Sequence, residues 1–290
     1  MRPQASLAPF RLFRIEVERV VRLSPSLVRV TFTGPELGAF ASGGLDQSLS
    51  LFLPRPGQSE PLLPPADEHR DDPAGWYAAY RAMPDDTRAV MRSYTAREQR
   101  HSPAGELDID FAVHPDGGPA CAWAERAEPG DRVAVLGPTG PNNSGIRFRL
   151  PESAEWLLMW ADETALPAAA AILESLPPGL RVKAWLEVPC VGDQLELKTA
   201  ADAEVTWLVR EVTEASGAHR TERTVEAVRA ASLPESRPYA WIAGEAGTVK
   251  ALRRHLVRER EFDRRSVSFT GYWRLGVTED GLRAEAEASG

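Results

Sequence analysis

The side chains most able to do chemistry lie close together at 92–97, where the sequence reads Arg-Ser-Tyr-Thr-Ala-Arg. Side chains alternate between the two faces of a strand, so Arg92 and Tyr94 would share one face while Thr95 and Arg97 share the other. An arginine fork holds a phosphate, a tyrosine ring stacks on an aromatic cofactor, and a threonine hydroxyl donates to a ring nitrogen. The pattern indicates a site for a phosphorylated aromatic cofactor. The alternative is a polar edge strand with ordinary surface arginines.

A second candidate begins at Gly117-Gly118-Pro119, before a short helix predicted near 119–127. Proline suits the first position of a helix, and the free N–H groups and positive dipole end of a helix N-terminus bind anions. The small residues would let a pyrophosphate approach closely. The alternative is a capped surface helix.

The third candidate follows the apolar run 156–160, where 162–167 predicts a strand-to-helix turn. Thr164 is expected to cap the helix and to present N–H groups to a dinucleotide pyrophosphate or nicotinamide. No G-x-G-x-x-G follows this run, so the usual dinucleotide fingerprint is absent. The alternative is a capped core helix.

The elements that position the first two candidates are predicted to be β-strands. Apolar and polar side chains alternate with the period of a half-buried strand, and turn residues separate the runs, which predicts an antiparallel barrel. The stretch 54–84 is rich in Pro, Asp and Glu and is expected to be an excursion outside the sheet. The predicted strands are 12–21, 27–33, 49–53, 92–97, 107–114 and 132–136.

The second half changes to strands interleaved with helices, which predicts βαβ units and a doubly wound, mostly parallel sheet. The Pro/Asn/Gly cluster at 137–145 is the expected boundary, giving domains at 1–144 and 145–290. The predicted strands are 156–160, 181–188, 204–210, 239–243 and 266–270, and the predicted helices are 164–176, 221–231 and 247–260.

Composition and charge restrict the partners and the cellular setting that this protein can have. The net charge of -8 argues against nucleic acid as a partner, which needs a concentrated basic face. The only cysteines, Cys121 and Cys190, are too few for a disulfide framework and favour a reducing, cytoplasmic setting. No apolar run approaches the ~20 residues that span a bilayer, and Arg and Glu interrupt the first apolar residues, unlike a signal peptide. We expect a cytoplasmic monomer with no membrane partner and no metal site.

The candidate segments closely resemble the siderophore-interacting protein family of FAD-binding ferric-siderophore reductases, relatives of the ferredoxin reductases. The resemblance implies an N-terminal antiparallel six-stranded-type FAD-binding barrel followed by a nicotinamide-binding α/β domain. The segments that carry it, in order along the chain, are 92–97, 108–123, 162–168, 243–245 and 271–274.

The resemblance also implies roles in binding FAD. Tyr94 would flank the isoalloxazine, Thr95 would bond its ring edge, and Arg92 and Arg97 would hold the ribityl–phosphate portion. Cys121 stands where the family usually has Ser or Thr, so its weaker S–H donor should soften one phosphate contact. The other residues expected at the FAD site are Ser93, His114, Gly117, Gly118 and Ala120.

On the nicotinamide side, the resemblance implies contacts from Asp162, Thr164, Ala165, Glu245 and Trp273. The family often has Gly before the aspartate, whereas this chain has Ala161 after Trp160, which restricts the space for nicotinamide. Arg210, at the end of a predicted strand, would hold the 2′-phosphate of NADPH, as in ferredoxin-reductase relatives. The alternative for Arg210 is a solvated strand-end arginine.

The expected acceptor pocket has fewer charges than the resemblance implies. Family members commonly carry His and then Lys or Arg where this chain has Ser48 and Ser50. Arg274 remains, but Leu275 and Val277 replace two further basic positions. An anionic ferric siderophore calls for converging cations, so the FAD motif is better retained than the siderophore motif.

Three functions follow. The first is an NAD(P)H-dependent FAD oxidoreductase that reduces a ferric siderophore and releases Fe(II), with NADPH or NADH as the reductant. The second is a repurposed FAD flavoenzyme acting on a neutral organic substrate or a partner protein in secondary metabolism. The third is a non-redox binding protein with structural FAD. The identity of the siderophore and the preferred nicotinamide stay open at this point.

Overall fold

The computed structural model describes residues 10–65, 72–101, 105–115, 117–210 and 217–289. Contacts divide the chain into two compact units, Met1–Leu23 with Leu27–Ile146 and Ser24–Ser26 with Arg147–Gly290. Part of the predicted excursion (66–71) and Asp116 of the 108–123 motif lie outside the described residues.

The first unit is built on an antiparallel sheet of seven strands in the order β4-β3-β7-β1-β2-β6-β5. Alternation drives its formation: in β1, Phe13, Ile15 and Val17 are buried while Glu16 is exposed. The strands are β1 Phe10–Ser24, β2 Leu27–Thr33, β3 Ser48–Leu53, β4 Val90–Thr95, β5 Glu98–Arg100, β6 Glu106–Ala112 and β7 Arg132–Pro138.

The two edge strands of this sheet are consecutive in the chain, separated only by Ala96 and Arg97. Ala96 N–H donates to Gln47 O at 2.8 Å, beside β3, and Arg97 N–H donates to Asp108 O at 2.9 Å, in β6. The chain therefore runs from one edge of the sheet to the other, and the sheet curls. Counting β4 and β5 as one bent strand gives the predicted six-stranded type of barrel, and the fold class is confirmed.

Two helices belong to this unit, α1 Pro73–Ala82 and α2 Pro119–Ala124. Helix α1 lies in the excursion and was not predicted. Its N-cap, Asp72, accepts a hydrogen bond from Gly75 N–H, and its Trp76 and Tyr80 rings each pack edge-on against Phe52, with centroids 5.5 Å apart. Trp76 and Tyr80 lie one helical turn apart on the same face, and their packing against the sheet stabilises the helix.

The second unit is a parallel sheet of five strands in the order β10-β9-β8-β11-β12. Every residue of β8 is buried, as expected where helices cover both faces of a sheet. The strands are β8 Trp156–Ala161, β9 Arg181–Val188, β10 Asp202–Val209, β11 Pro238–Glu245 and β12 Val267–Trp273. The helices are α3 Leu166–Ser175, α4 Gly217–Ala230, α5 Ala246–Arg258 and α6 Glu279–Ser289.

The connections run from β8 outward to β10, then cross to β11 and β12 on the other side, which is the predicted doubly wound order. Val228 of α4 and Leu252 and Leu256 of α5 pack in one apolar cluster with Trp156 and Trp160 of β8. Helix α6 and the three-residue strand β5 were not predicted. Among the described residues, no helix combines the length and apolar character needed to cross a bilayer.

Candidate functional site

Strand β4 carries the first predicted group beside β3. Tyr94 is half-buried, and its ring packs against Phe111 with centroids 4.5 Å apart, so part of the ring belongs to the core and part stays accessible. Ser93 is exposed and Thr95 is buried. Arg92 is partly exposed, and its Nη1 donates to the Met91 carbonyl at 2.7 Å.

The predicted strand continues only to Thr95. Ala96 is buried, and the chain bends there to reach β6. The side-chain alternation expected through Arg97 is therefore wrong beyond Thr95, because each of the two backbone N–H groups at the bend bonds to a different neighbouring segment. Arg97 follows the bend and is partly exposed.

Four hydroxyl side chains meet on one face of the β3–β4 pair. Ser48 lies opposite Thr95, and Ser50 lies opposite Ser93. Directly opposed antiparallel residues point to the same face with Cβ atoms about 5 Å apart. We call Ser48, Ser50, Ser93 and Thr95 the hydroxyl patch; none of its side chains carries a charge.

The second predicted group forms a tight turn before α2. Gly117 N–H donates to His114 O at 2.9 Å, and the Cys121 thiol donates to the same oxygen at 3.3 Å. His114 N–H in turn donates to Cys121 Sγ at 3.2 Å. A Cβ on Gly117 would lie 2.1 Å from that sulfur, so the turn needs glycine there. Burial raises the pKa of the Cys121 thiol, which keeps it protonated and able to hold the turn.

The N-terminus of α2 fits an anionic group. Gly118 is the N-cap and has no side chain to cap the first turn, and nothing lies within 4 Å of the place where a Cβ would stand. Ala120 and Cys121 follow as small, buried side chains. A phosphate can therefore approach the backbone closely, and the residues present fit the pyrophosphate of FAD.

Asp162, at the end of β8, organises the second unit. Its Oδ1 accepts from Thr164 N–H at 3.0 Å and from the Thr164 hydroxyl at 2.5 Å. Its Oδ2 accepts from Glu245 N–H and from Trp273 Nε1–H, both at 2.8 Å. The side chain is fully buried, and this burial, with the nearby charge of Glu163, raises its pKa. One carboxylate thus joins the ends of β8, β11 and β12.

Thr164 does not cap α3, so that prediction is wrong. The N-cap is Ala165, which is buried, and the Thr164 N–H and hydroxyl both serve Asp162. Both donors bond to Asp162 because a buried carboxylate without hydrogen-bond donors costs more free energy than an uncapped helix end.

Glu245 also has a structural role, since its carboxylate caps α5 by accepting from Thr248 N–H at 2.8 Å. The preceding Gly244 has φ +142, and a Cβ there would lie 2.6 Å from Asp162 Cγ. Glycine at 244 therefore permits the close approach of β11 to Asp162.

Arg210 lies in a group of ion pairs at the carboxyl ends of β8, β9 and β10. Its Nη2 donates to Glu163 Oε1 at 2.7 Å, and its Nη1 lies 3.7 Å from Glu187 Oε1. Only 23% of its side chain is exposed, so it is not the solvated strand-end arginine of the alternative.

Arg220 of α4 completes this group. It pairs with Glu187 through Nε, and its Nη2 lies 3.4 Å from Asp162 and 3.5 Å from Glu163. Its guanidinium also lies over the Trp273 ring, 5.2 Å from the centroid. We call Asp162, Glu163, Glu187, Arg210 and Arg220 the strand-end ion cluster. Sequence reasoning assigned no role to Glu163, although it lies in the 162–168 segment that carries the resemblance. It also missed Glu187 and Arg220, which no local pattern distinguishes from surface charges.

A cavity of about 320 Å³ opens beside this cluster between β10 and α4. Leu208, Ala227 and Ala230 supply apolar surface, and Glu187 and Arg210 lie on its wall. Arg220 and Arg223 line it as well. The described residues contain no group of three or more His, Cys, Asp or Glu side chains able to hold a metal ion.

Arg274 is the basic residue that this chain retains just after β12. It forms a surface ion pair with Glu285 of α6. The next residue, Leu275, leaves 59% of its surface exposed.

Comparison with known proteins agrees with these two units. Residues 16–142 match the siderophore-interacting FAD-binding domain, and residues 154–276 match the siderophore-interacting protein family. The ferric vibriobactin reductase ViuB of Vibrio cholerae is 30% identical over 91% of this chain and 89% of its own. The NADPH-dependent ferric-chelate reductase of Escherichia coli is 31% identical over 93% of this chain and 96% of its own.

A solved structure agrees in fold as well as in sequence. The siderophore-interacting protein SipS from Aeromonas hydrophila superposes with a TM-score of 0.75 at 33% identity, covering 97% of this chain and 99% of its own. With a curled antiparallel sheet, a doubly wound α/β unit and both family matches in order, the chain belongs to the siderophore-interacting protein family.

Proposed function

We propose that this protein is an FAD-dependent NAD(P)H oxidoreductase that reduces a ferric-siderophore complex and releases Fe(II). The observation that carries the proposal is the similarity to two proteins named as ferric reductases, over 91% and 93% of the chain. Both units needed for the reaction are therefore present, the FAD-binding unit and the α/β unit.

We assign the FAD site to the first unit. The accessible part of Tyr94 would contact the isoalloxazine, Thr95 would bond its edge, and Arg92 and Arg97 would hold the ribityl–phosphate portion. The N–H groups at the start of α2 would bind the pyrophosphate. Supporting residues are Ser93 beside Tyr94, His114 and Gly117 in the turn, Gly118 at the open N-cap, and Ala120 and Cys121 in the first helical turn.

The second unit would hold the nicotinamide donor at the carboxyl ends of its strands, where ligands of open α/β sheets bind. Asp162, Thr164 and Ala165 form the first turn there, and Glu245 and Trp273 are fixed to it through Asp162. These residues would shape the site rather than react.

FAD bound in this site would supply the redox chemistry that links a two-electron nicotinamide donor to one-electron reduction of Fe(III). Hard oxygen chelators bind Fe(II) far more weakly than Fe(III), so reduction frees the metal. The side chains need only bind, orient and exclude water, and the reaction requires no acid or base from the protein.

The hydroxyl patch favours a second candidate function, the same flavoenzyme with a neutral organic acceptor or a partner protein. Ser48 and Ser50 offer no charge, Arg274 is paired with Glu285, and Leu275 is exposed. A non-redox protein with structural FAD is the third candidate, and no observation favours it: Trp160, whose bulk was expected to restrict nicotinamide, is fully buried in the apolar cluster of the second unit, and Ala161 is fully buried as well.

One experiment separates these functions. The FAD-loaded protein is titrated without oxygen by NADPH and, separately, by NADH, and a ferric hydroxamate or catecholate is then added with a ferrous chelator. Bleaching of the flavin followed by iron-dependent reoxidation supports the reductase. Bleaching without iron transfer indicates another acceptor, and no bleaching by either nicotinamide supports the non-redox protein.

We further propose that the protein works as a cytoplasmic monomer. Both cysteines are free. Exposed large apolar side chains are few and scattered in the described part of the chain, namely Val21, Leu62, Val191, Phe269 and Leu275. Sedimentation of the FAD-loaded protein across a concentration series tests the oligomeric state.

A further inference from the structure

We propose that the side-chain amides of Gln47 and Asn143 form a positioning pair, which holds the bend after Thr95 and thereby places the Thr95 hydroxyl at the edge of the flavin. The inference rests on the proposed function, since it concerns the FAD site assigned to the first unit. Both residues act through Thr95 and not on the cofactor itself. Neither of them belongs to the segments that carry the resemblance.

The two amides bond to each other reciprocally. Gln47 Nε2 donates to Asn143 Oδ1 at 3.0 Å, and Asn143 Nδ2 donates to Gln47 Oε1 at 2.8 Å. Main-chain donors fix which atom of each amide is the oxygen, because Gly145 N–H donates to Asn143 Oδ1 at 2.8 Å and Gly43 N–H donates to Gln47 Oε1 at 3.3 Å. A polar network whose members are all bonded is rigid, so the pair holds both side chains in one arrangement.

The pair is built into the first unit, with no room for another arrangement. Gln47 is fully buried, and its Nε2 uses its second hydrogen to donate to the Ser48 carbonyl at 2.9 Å. A Cβ on Gly145 would lie 2.2 Å from Gln47 Nε2 and 2.9 Å from Asn143 Oδ1. Glycine at 145 therefore lets the main chain approach the two amides closely, and the segment 140–145 is held against the start of β3.

The main chain of Gln47 connects the pair to the candidate FAD site. Its carbonyl accepts from Ala96 N–H at 2.8 Å, at the point where the chain turns away from β4. Ser48 N–H donates to Gly145 O at 2.8 Å, so the residue that lies opposite Thr95 is bonded to the same segment. A displacement of Gln47 would therefore move the bend directly after Thr95.

Thr95 supplies the group on which this positioning acts. Only 6% of the residue is exposed, and its hydroxyl has no hydrogen-bond partner within the part of the chain that the structure describes. Hydrogen bonds to the ring tune the electronics of a bound flavin, and each such bond depends on distance and angle. The midpoint potential of bound FAD therefore reports whether the hydroxyl is in place.

The test measures this midpoint potential in the FAD-loaded full chain, by equilibration with a dye of known potential. Thr95→Val removes the hydroxyl at nearly constant size. We expect it to change the ratio of reduced to oxidised flavin at a fixed potential about tenfold, which is about 30 mV for a two-electron couple. Gln47→Leu breaks the pair without adding a charge and should shift the ratio several-fold in the same direction. The double variant should match Thr95→Val alone, because Gln47 acts through the hydroxyl.

A second variant and a matched control separate this role from general loosening of the fold. Asn143→Ala breaks the pair at its partly exposed member and should shift the potential as Gln47→Leu does. Gln58→Leu is the control, because the Gln58 amide also bonds the main chain, accepting from Arg55 N–H at 3.0 Å and donating to Thr87 O at 2.8 Å in the excursion. It should leave the potential unchanged.

The apoprotein gives a readout that needs no cofactor. Hydrogen exchange at the Ala96 amide should be faster in Gln47→Leu and Asn143→Ala than in the unmodified protein, since the carbonyl that accepts its bond is no longer held. Exchange at Ala96 in Gln58→Leu should equal that of the unmodified protein.

An unchanged potential in folded Gln47→Leu and Asn143→Ala variants would overturn the inference. A shift in the double variant equal to the sum of the two single shifts would do the same, because Gln47 would then act independently of Thr95. Failure of the unmodified protein to bind FAD would instead remove the proposed function itself. If Gln47→Leu does not fold, Asn143→Ala combined with Thr95→Val gives the same cycle, so the inference remains testable.

Discussion

Tyr94 divides its ring between the core and an accessible surface, and this division is what a cofactor platform requires. Its contact with Phe111 fixes the ring plane, with centroids 4.5 Å apart. A fixed ring loses little entropy when a second aromatic system stacks on it. Most of the favourable stacking energy is therefore retained in the free energy of cofactor binding.

Tyr94→Ala should therefore weaken FAD binding by about 1 kcal/mol, or roughly fivefold, since aromatic stacking contributes on this order beyond area burial. Fluorescence titration of the apoprotein with FAD measures the dissociation constant. Tyr94→Phe keeps the ring and is the control, with affinity expected near that of the unmodified protein. Equal FAD affinity for the alanine variant and the unmodified protein would remove Tyr94 from the site.

The adjacent glycines before α2 should respond differently to alanine. Gly117→Ala places a Cβ 2.1 Å from Cys121 Sγ, so it should lower the stability of the apoprotein by about 1–3 kcal/mol. Gly118→Ala meets nothing within 4 Å, so the apoprotein should melt near the same temperature while FAD affinity falls about tenfold. Thermal melting without FAD and FAD titration separate the two effects. A Gly118→Ala variant with unchanged affinity would contradict the placement of the pyrophosphate.

At the scale of elements, buried or networked carboxylates hold neighbouring strands in place. In the first unit β6 supplies Glu106 and Asp108, which pair with Arg19 of β1 and Arg100 of β5. In the second unit Asp162 joins β8 to β11 and β12. These pairs lie between strands, so breaking one loosens an edge of a sheet rather than a single loop.

The β6 network predicts acid sensitivity of the first unit. Hydrogen bonds from Arg19 and Arg100 lower the pKa of Glu106 to about 2, from an ordinary 4.5. A carboxyl with a lowered folded-state pKa contributes stability that is complete above its unfolded pKa and is lost as pH falls toward the folded value. The unmodified protein should therefore exceed Glu106→Gln in melting temperature at pH 6, and the difference should shrink toward zero near pH 2.

Scanning calorimetry across this pH range measures the difference. Because Glu106 is near the surface, solvent screening keeps the expected effect modest. Glu36→Gln, which breaks an exposed pair with Arg11, is the control and should show a much smaller pH-dependent difference. A difference for Glu106→Gln that is constant from pH 6 to pH 2 would contradict the assignment.

In the second unit, substitution of Asp162 should lower stability more than substitution of Glu106 does in the first. Asp162→Asn turns one acceptor atom into a donor, which then faces the N–H groups of Glu245 or Thr164 or the indole N–H of Trp273. Buried polar groups left without partners should lower stability by about 2–4 kcal/mol. Chemical denaturation followed by tryptophan fluorescence measures it, with exposed Asp202→Asn at the start of β10 as the control. Equal stability of the two variants would remove Asp162 as the link between strand ends.

At the scale of the whole molecule, the sequence predicts the order of strands and helices because periodicity is a local property. Prediction from sequence fails where hydrogen-bond partners are distant in the chain. Asp162 meets Glu245 and Trp273 across 83 and 111 residues. Its bond with Thr164, only two residues away, is a local Asx-turn that competes with helix capping. Arg210 was placed correctly at a strand end, but its carboxylate partners follow from the sheet topology. Strand β5 is too short for alternation to reveal it.

The net charge of -8 bears on the acceptor. An acidic protein repels an anionic chelate at long range unless local cations oppose that field, and Ser48, Ser50 and Leu275 supply none. The rate of reducing an anionic ferric tris-catecholate should therefore rise with added salt, because the Debye length falls from about 30 Å at 0.01 M to about 10 Å at 0.1 M. Reduction of a neutral ferric tris-hydroxamate should depend little on salt. Stopped-flow reoxidation of the reduced protein gives both rates.

Ser50→Lys tests whether the hydroxyl patch is the cause. A cation on β3 should raise kcat/KM for the catecholate several-fold and weaken its increase with salt, while leaving the hydroxamate nearly unchanged. Ser153→Lys changes the net charge equally at an exposed position of the second unit, so it isolates the effect of location. If both lysine variants respond alike, only the overall field matters. If the unmodified protein loses rate on the catecholate as salt increases, arginines elsewhere already form the anion site, and the hydroxyl patch does not select the acceptor.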